Sequence, residues 1–243
     1  MIVTPSRRPA RLKASLAGVA FVFAVLTQAL VGMPASAQGS SAQTKIAAIE
    51  AAVAKNKQML GQYTWQQQET VSVHGDVKKT ALYQVQLGPD GKPTKVDISQ
   101  SQATHERKFG IKHRIAQDYI DYGKQIASLA GSYTAPQPGR IKELYAQGKV
   151  TLKSGGATGV DSIVISNYVK PGDTVTLTFN RAQKAVISLD VASYLSAPSD
   201  AVTIAVQFAK LPDGTNHAST ITVNGQSKGL TVQDVNTNYT KRS

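Results

Sequence analysis

The sequence predicts an α+β domain, built on one curved antiparallel sheet of about eight to ten strands with helices covering its concave face. Three observations carry this. The hydrophobic period switches from about 3.6 to 2 at Gly61, returns to 3.6 after Gln100, and drops to 2 again from Lys149. The period-2 stretches are joined by short turns rich in Pro, Gly and Asp, so strands adjacent in sequence pair as neighbours. Each stretch alternates apolar with polar residues, so one face is wet and the other must be covered.

Residues 1–37 stand outside that domain. Arg7, Arg8, Arg11 and Lys13 form a basic segment without an acidic residue, and Leu16 to Val31 is apolar. Ala35-Ser36-Ala37 then places small residues at a cleavage site, the pattern of a secretory signal peptide. The expected mature chain starts near Gln38 and works in the periplasm or the medium. A membrane anchor needs about 20 apolar residues, and this run is shorter and interrupted by Thr27 and Gln28. Residues 38–243 are expected to form a single domain.

Within it, Thr44 to Leu60 reads as a helix, with Ile46, Ile49 and Val53 at helical spacing and Gly61 as a stop. Tyr63, Trp65, Val71 and Val73 then share one face of a strand. Val77, Ala81, Tyr83, Val85 and Leu87 form the next, and Lys95 to Ile98 a short third. Ile111, Ile115, Tyr119, Tyr122, Ile126 and Leu129 step by three or four, which is one apolar helical stripe ended by Gly131. Pro136 and Pro138 break the chain before a short helix from Arg140 to Gln147, with Ile141, Leu144 and Tyr145 inward. Six strands are expected after that: Val160–Val169, Thr174–Asn180, Lys184–Tyr194, Ala201–Lys210, Ala218–Val223 and Gly229 to Val235 or beyond.

Composition narrows the function classes. The formal charge of the whole chain is +12, from 27 basic and 15 acidic residues. The signal segment carries four of the basic ones, which leaves +8 scattered over the mature chain. A nucleic-acid binder would cluster that charge, so no nucleic acid is expected. The densest mature group, Arg107, Lys108, Lys112, His113 and Arg114, is either a solvated helix face or a contact for anionic head groups at a membrane surface. The chain has no Cys, so the fold relies on its apolar core and has no thiol chemistry.

Few residues suggest a reaction. The four His residues show no metal-ligand spacing, so no metal and no cofactor are expected. There is no GxSxG, and Gly155-Gly156-Ala157-Thr158-Gly159 lacks the Lys-Ser/Thr of a phosphate loop. Asp118 and Asp121 lie off the apolar helical stripe, and Asp190 alternates with inward Val and Ala, so all three are expected outward. The chain is therefore read as a non-enzyme. The aromatics are the more informative group, because amphipathic rings on inward faces suit either a packed core or a pocket that is apolar inside and polar at its mouth.

The order of elements is a starting helix, a meander, an inserted helical pair and a second long meander in an exported chain. In outline it is similar to the LolA/LolB-like lipoprotein-carrier fold. Leu211-Pro212-Asp213-Gly214-Thr215 and Asn236-Thr237-Asn238-Tyr239 also look like segments of uncharacterised exported bacterial proteins. The resemblance implies an incomplete antiparallel barrel that holds acyl chains under a helical lid. The function expected is then a non-catalytic binder or carrier of a lipid or other amphiphile. Its wall would be Trp65, Tyr83, Ile115, Tyr119, Tyr122, Ile126 and Phe179, and Arg107, Lys108, Lys112 and Arg114 would dock it at anionic membrane. The alternative is an envelope interaction or structural module whose helix and sheet enclose a dry core.

Overall fold

A computed structural model describes residues 54–89, 91–99, 111–133 and 138–242. A helix over 54–60 (α1) leads into β1, Tyr63–Val73, β2, Asp76–Leu87, and β3, Pro93–Asp97. Two helices follow, α2 over Ile111–Gly131 and α3 over Pro138–Ala146. Seven strands complete the chain: β4 Val150–Ser154, β5 Val160–Ser166, β6 Thr174–Asn180, β7 Ala185–Tyr194, β8 Ala201–Lys210, β9 Asn216–Gly225 and β10 Leu230–Lys241. All ten strands lie in one antiparallel sheet of order β3-β2-β1-β10-β9-β8-β7-β6-β5-β4. Every pairing joins sequence neighbours except β1 with β10, which zips the first meander onto the end of the second. The sheet does not close: β3 and β4 are its two edges, and the chain between them carries α2 and α3.

Directly opposed residues of an antiparallel ladder share a face, so the register traces one face across the sheet. One row reads Ile163, Leu177, Leu189, Val206 and Ile221, then Asp234 and Glu69. The next reads Ile165, Val175, Val191, Ile204 and Val223, then Val232 and Val71. From β5 to β9 this face is aliphatic, and from β10 to β3 it becomes mixed. The aliphatic part forms one core cluster with Tyr122, Ile126, Leu129 and Ala130 of α2 and with Leu144 of α3. A second cluster gathers Leu60 of α1 with Trp65, Ala81, Tyr83, Val85 and Leu87.

Helix α2 is seated on β9 by a glycine. A side chain at Gly225 would place its Cβ 2.5 Å from the Tyr122 ring, so only glycine admits the ring there. The Tyr122 hydroxyl then donates to Asp200 Oδ1 at 2.9 Å, which Ser227 also engages. The Lys228 ammonium lies 5.4 Å from the Tyr119 ring and donates to the Asp118 carbonyl. The predicted stripe therefore splits. From Tyr122 onward it is buried, but Ile115 is 53% exposed, and Tyr119, whose ring meets Lys228, is only half-buried.

Two further expectations are corrected. Val77 points outward, because a bulge between Val71 and Ser72 pairs it with Ser72 on the wet face. Tyr145 is exposed, leaving Leu144 and the partly buried Ile141 as the inward residues of α3. Strand β4, Val150–Ser154, adds a strand before the six expected ones, and β10, expected to reach Val235 or beyond, runs to Lys241. Both gain their strand character from partners, β5 and β1, more than from their own alternation.

Candidate functional site

Strand β1 carries the site because its inward positions change character along the strand. Tyr63, Trp65, Gln67, Glu69 and Val71 are all buried and have the same parity. Gln67 faces Tyr83 on β2 and Asn236 on β10, while Glu69 faces Ala81 and Asp234. Lys95 of β3 comes in from the side, opposite Val85. Two carboxylates, a carboxamide and a lysine thus converge within the hydrophobic face, with Lys79 closing the group from β2.

The geometry is uneven. Lys79 Nζ donates to Glu69 Oε1 at 3.0 Å and to the Tyr83 hydroxyl at 3.2 Å. Lys95 Nζ stands 4.0 Å from Glu69 Oε2 and 3.9 Å from Asp234 Oδ2, and 5.1 Å from the Tyr83 ring centroid. Those ion-pair distances exceed a hydrogen bond. Lys95 Nζ, Gln67 Oε1 and Asp234 Oδ1 are buried atoms that form no hydrogen bond. The side chain of Asp234 is 3% exposed and that of Lys95 9%. Burial pushes the Asp234 carboxyl up to about 7, with Glu69 adding to the push and Lys95 opposing it. The same burial holds Lys95 below the ordinary lysine range. Lys79 moves the other way: desolvation is its largest single influence, but its hydrogen bonds and charge attraction to Glu69 and Tyr83 together outweigh it and raise its pKa.

An aromatic group lies beside the ionic one. Between Thr64 and Gln66 the β1–β10 register slips, and Asn238 takes a left-handed φ of +54°. This bulge turns Tyr239 onto the inward face, where it stacks on Trp65 with ring centroids 5.5 Å apart. The Trp65 indole donates to Asn236 Oδ1 at 3.2 Å, and His217 lies 4.1 Å from Tyr239. Helix α1 covers this end: Leu60 packs in the cluster, and Asn56 exchanges two hydrogen bonds with the Asn216 backbone at 2.9 and 2.8 Å.

A third buried polar group is fully satisfied. Asp173, 1% exposed, accepts from the backbone N–H groups of Tyr168, Val169 and Lys170 and from the Tyr133 hydroxyl, all between 2.6 and 2.9 Å. Ser193 Oγ shares a bond with the same hydroxyl. This aspartate ties the β5–β6 loop to the end of α2 and leaves no oxygen over for chemistry.

The residues expected to form one wall fall into separate places. Tyr122, Ile126 and Phe179 share the large aliphatic cluster, and Trp65 and Tyr83 belong to the aromatic cluster. Ile115 and Tyr119 lie outside both clusters. Of the expected membrane-contact residues, Arg114 is exposed on α2, Lys112 lies in α2 without a described side chain, and Arg107 and Lys108 fall outside the described residues. Gln67, Glu69, Lys95 and Asp234 were not foreseen. The signal for two of them was present: the apolar parity of β1 is interrupted at positions 67 and 69.

Among the described residues, no His, Cys, Asp and Glu group is arranged to hold a metal ion, and no helix is long and apolar enough to cross a membrane. No protein-family model and no curated protein matches the sequence.

Proposed function

We propose that the protein is exported and works without catalysis, binding or carrying a lipid or other amphiphile in the cell envelope. In this reading the open ten-stranded sheet is curved, and α2 and α3 lie over its concave side as a lid, in the manner of LolA/LolB-like carriers. Four ladder irregularities support the curvature, because each bulge adds local twist and bend. The observation that carries the function is the division of one continuous face. Aliphatic rows from β5 to β9 suit a hydrocarbon chain, and the ionic group at β10, β1 and β3 suits its polar end. Export rests on the signal pattern of residues 1–37, and docking at anionic membrane on the basic group that includes Arg114.

A second reading has its own support. Tyr122, Ile126 and Phe179 are each at most 5% exposed and already packed in one cluster, as a dry core would have them. An envelope interaction module would need nothing more.

Native mass spectrometry of freshly purified mature protein separates the two. The carrier reading expects copurified lipid and a shift of Trp65 emission when fatty acids or phospholipids are added. Absence of both favours the closed module. The same spectra give the start of the mature chain, expected at or near Gln38.

A further inference from the structure

We infer that Lys95, Gln67 and Asp234 form a subsite for a neutral hydroxylated group, the glycosyl or glycerol end of a ligand. The inference deepens the amphiphile reading, and rests on it for the ligand's tail alone. Three buried polar atoms here lack hydrogen bonds: the ammonium of Lys95 and the free oxygens of Gln67 and Asp234. Gln67 is 2% exposed and Asp234 2% exposed. Such atoms are uncommon in folded proteins and costly to keep.

The set selects its partner by chemistry. Two of the atoms accept hydrogen bonds and one donates them. An anionic group would be held against two acceptor oxygens, near a lysine already flanked by two carboxylates. A cationic group would be held against Lys95, with Lys79 behind it. A hydroxyl both donates and accepts, so hydroxyls suit the acceptors Gln67 Oε1 and Asp234 Oδ1 and the donor Lys95 Nζ without a charge conflict. Glu69 is committed to Lys79 and serves the site by fixing charge. The location fits a two-part ligand, since Asp234 stands directly opposite Ile221, the first residue of an aliphatic row.

The test is calorimetric titration of the mature protein with octyl glucoside, free glucose, octanoate and octyltrimethylammonium, below micellar concentrations. The wild type should bind octyl glucoside more tightly than either charged amphiphile. Gln67→Leu should weaken octyl glucoside about tenfold, the loss of one neutral hydrogen bond, and weaken octanoate much less. Lys95→Met gives a second route to the same loss if Gln67→Leu fails to fold by circular dichroism. Preference for octanoate or for the ammonium amphiphile overturns the inference. Equal binding of all three, indifferent to both substitutions, overturns the subsite and leaves the carrier reading standing. Glucose bound as tightly as octyl glucoside, and lost in Gln67→Leu, keeps the subsite and removes the tail, so the carrier reading fails alone. No binding of either sugar overturns the inference.

Discussion

Asp173 and Asp234 are equally hidden aspartates in one sheet, yet they are held in opposite ways. Asp173 accepts three backbone N–H groups and a tyrosine hydroxyl at hydrogen-bond distance. Asp234 has one oxygen without a partner and the other 3.9 Å from a lysine. The first sits where a loop returns its backbone donors, so the cost of burial is offset locally. The second sits mid-strand, where the backbone donors are committed to the ladder and only side chains can help. A buried charge that the fold satisfies is part of the scaffold. One that the fold leaves unsatisfied marks a place where a partner or a proton is to be expected.

The comparison can be broken at several points. The largest effect is expected on the aliphatic side. Ile126 is fully buried between α2 and the sheet, so Ile126→Ala should cost about 2–5 kcal/mol in chemical denaturation. A cost near zero would mean that this side is a loosely filled cavity. Asp173→Asn should come next, at about 2–3 kcal/mol, because the carboxamide turns its NH2 toward groups that are themselves donors. Thermal melts would check it, and an unchanged Tm would remove Asp173 from the scaffold. Gly225→Ala should cost about 1–3 kcal/mol through overpacking of the Tyr122 ring. It should also raise hydrogen exchange in α2, whose Asp200 tie must stretch.

The smallest effect at neutral pH is expected at Asp234, where the difference grows as the pH falls. Its folded pKa, about 7, lies above the ordinary carboxylate value of 3.8. The folded chain therefore binds more protons than the unfolded chain between those values, and this group's contribution to stability falls as pH rises through them. Asp234→Asn cannot titrate, so it should gain on the wild type steadily from pH 4 to pH 7 and stay within about 1 kcal/mol of it at pH 7. His217 is also buried, which lowers its pKa and gives an opposite trend. It is present in both proteins, so the difference between their melting curves isolates Asp234. A difference independent of pH would mean that Asp234 is charged throughout, like an ordinary surface carboxylate.

Much of the fold was legible in the residues, because alternation reports a sheet with one wet face and the turns report which strands meet. The strands of the second meander fall close to their expected bounds, from Thr174–Asn180 to the pairing of Ala201–Lys210 with its neighbours. Legibility failed where a partner rather than the local sequence sets the face. Val77 is turned outward by a bulge, and on α2 Tyr119 meets Lys228 and stays half-buried. The candidate site failed for a different reason. Gln67, Glu69, Lys95 and Asp234 come from three separate strands, and although Gln67 and Glu69 fall on the apolar parity of β1, nothing local shows that Lys95 and Asp234 meet them there.

The sequence by itself determined the secondary-structure class, the long C-terminal meander, the inserted helical pair and the lack of any thiol, since these depend on period, turn chemistry and composition. The tertiary structure alone decided that β1 pairs with β10, and this one non-sequential pairing brings Glu69 beside Asp234 and Gln67 beside Asn236. Period is a property of neighbouring residues, whereas the burial of a charge depends on which strands close over it, and only the assembled sheet supplies that.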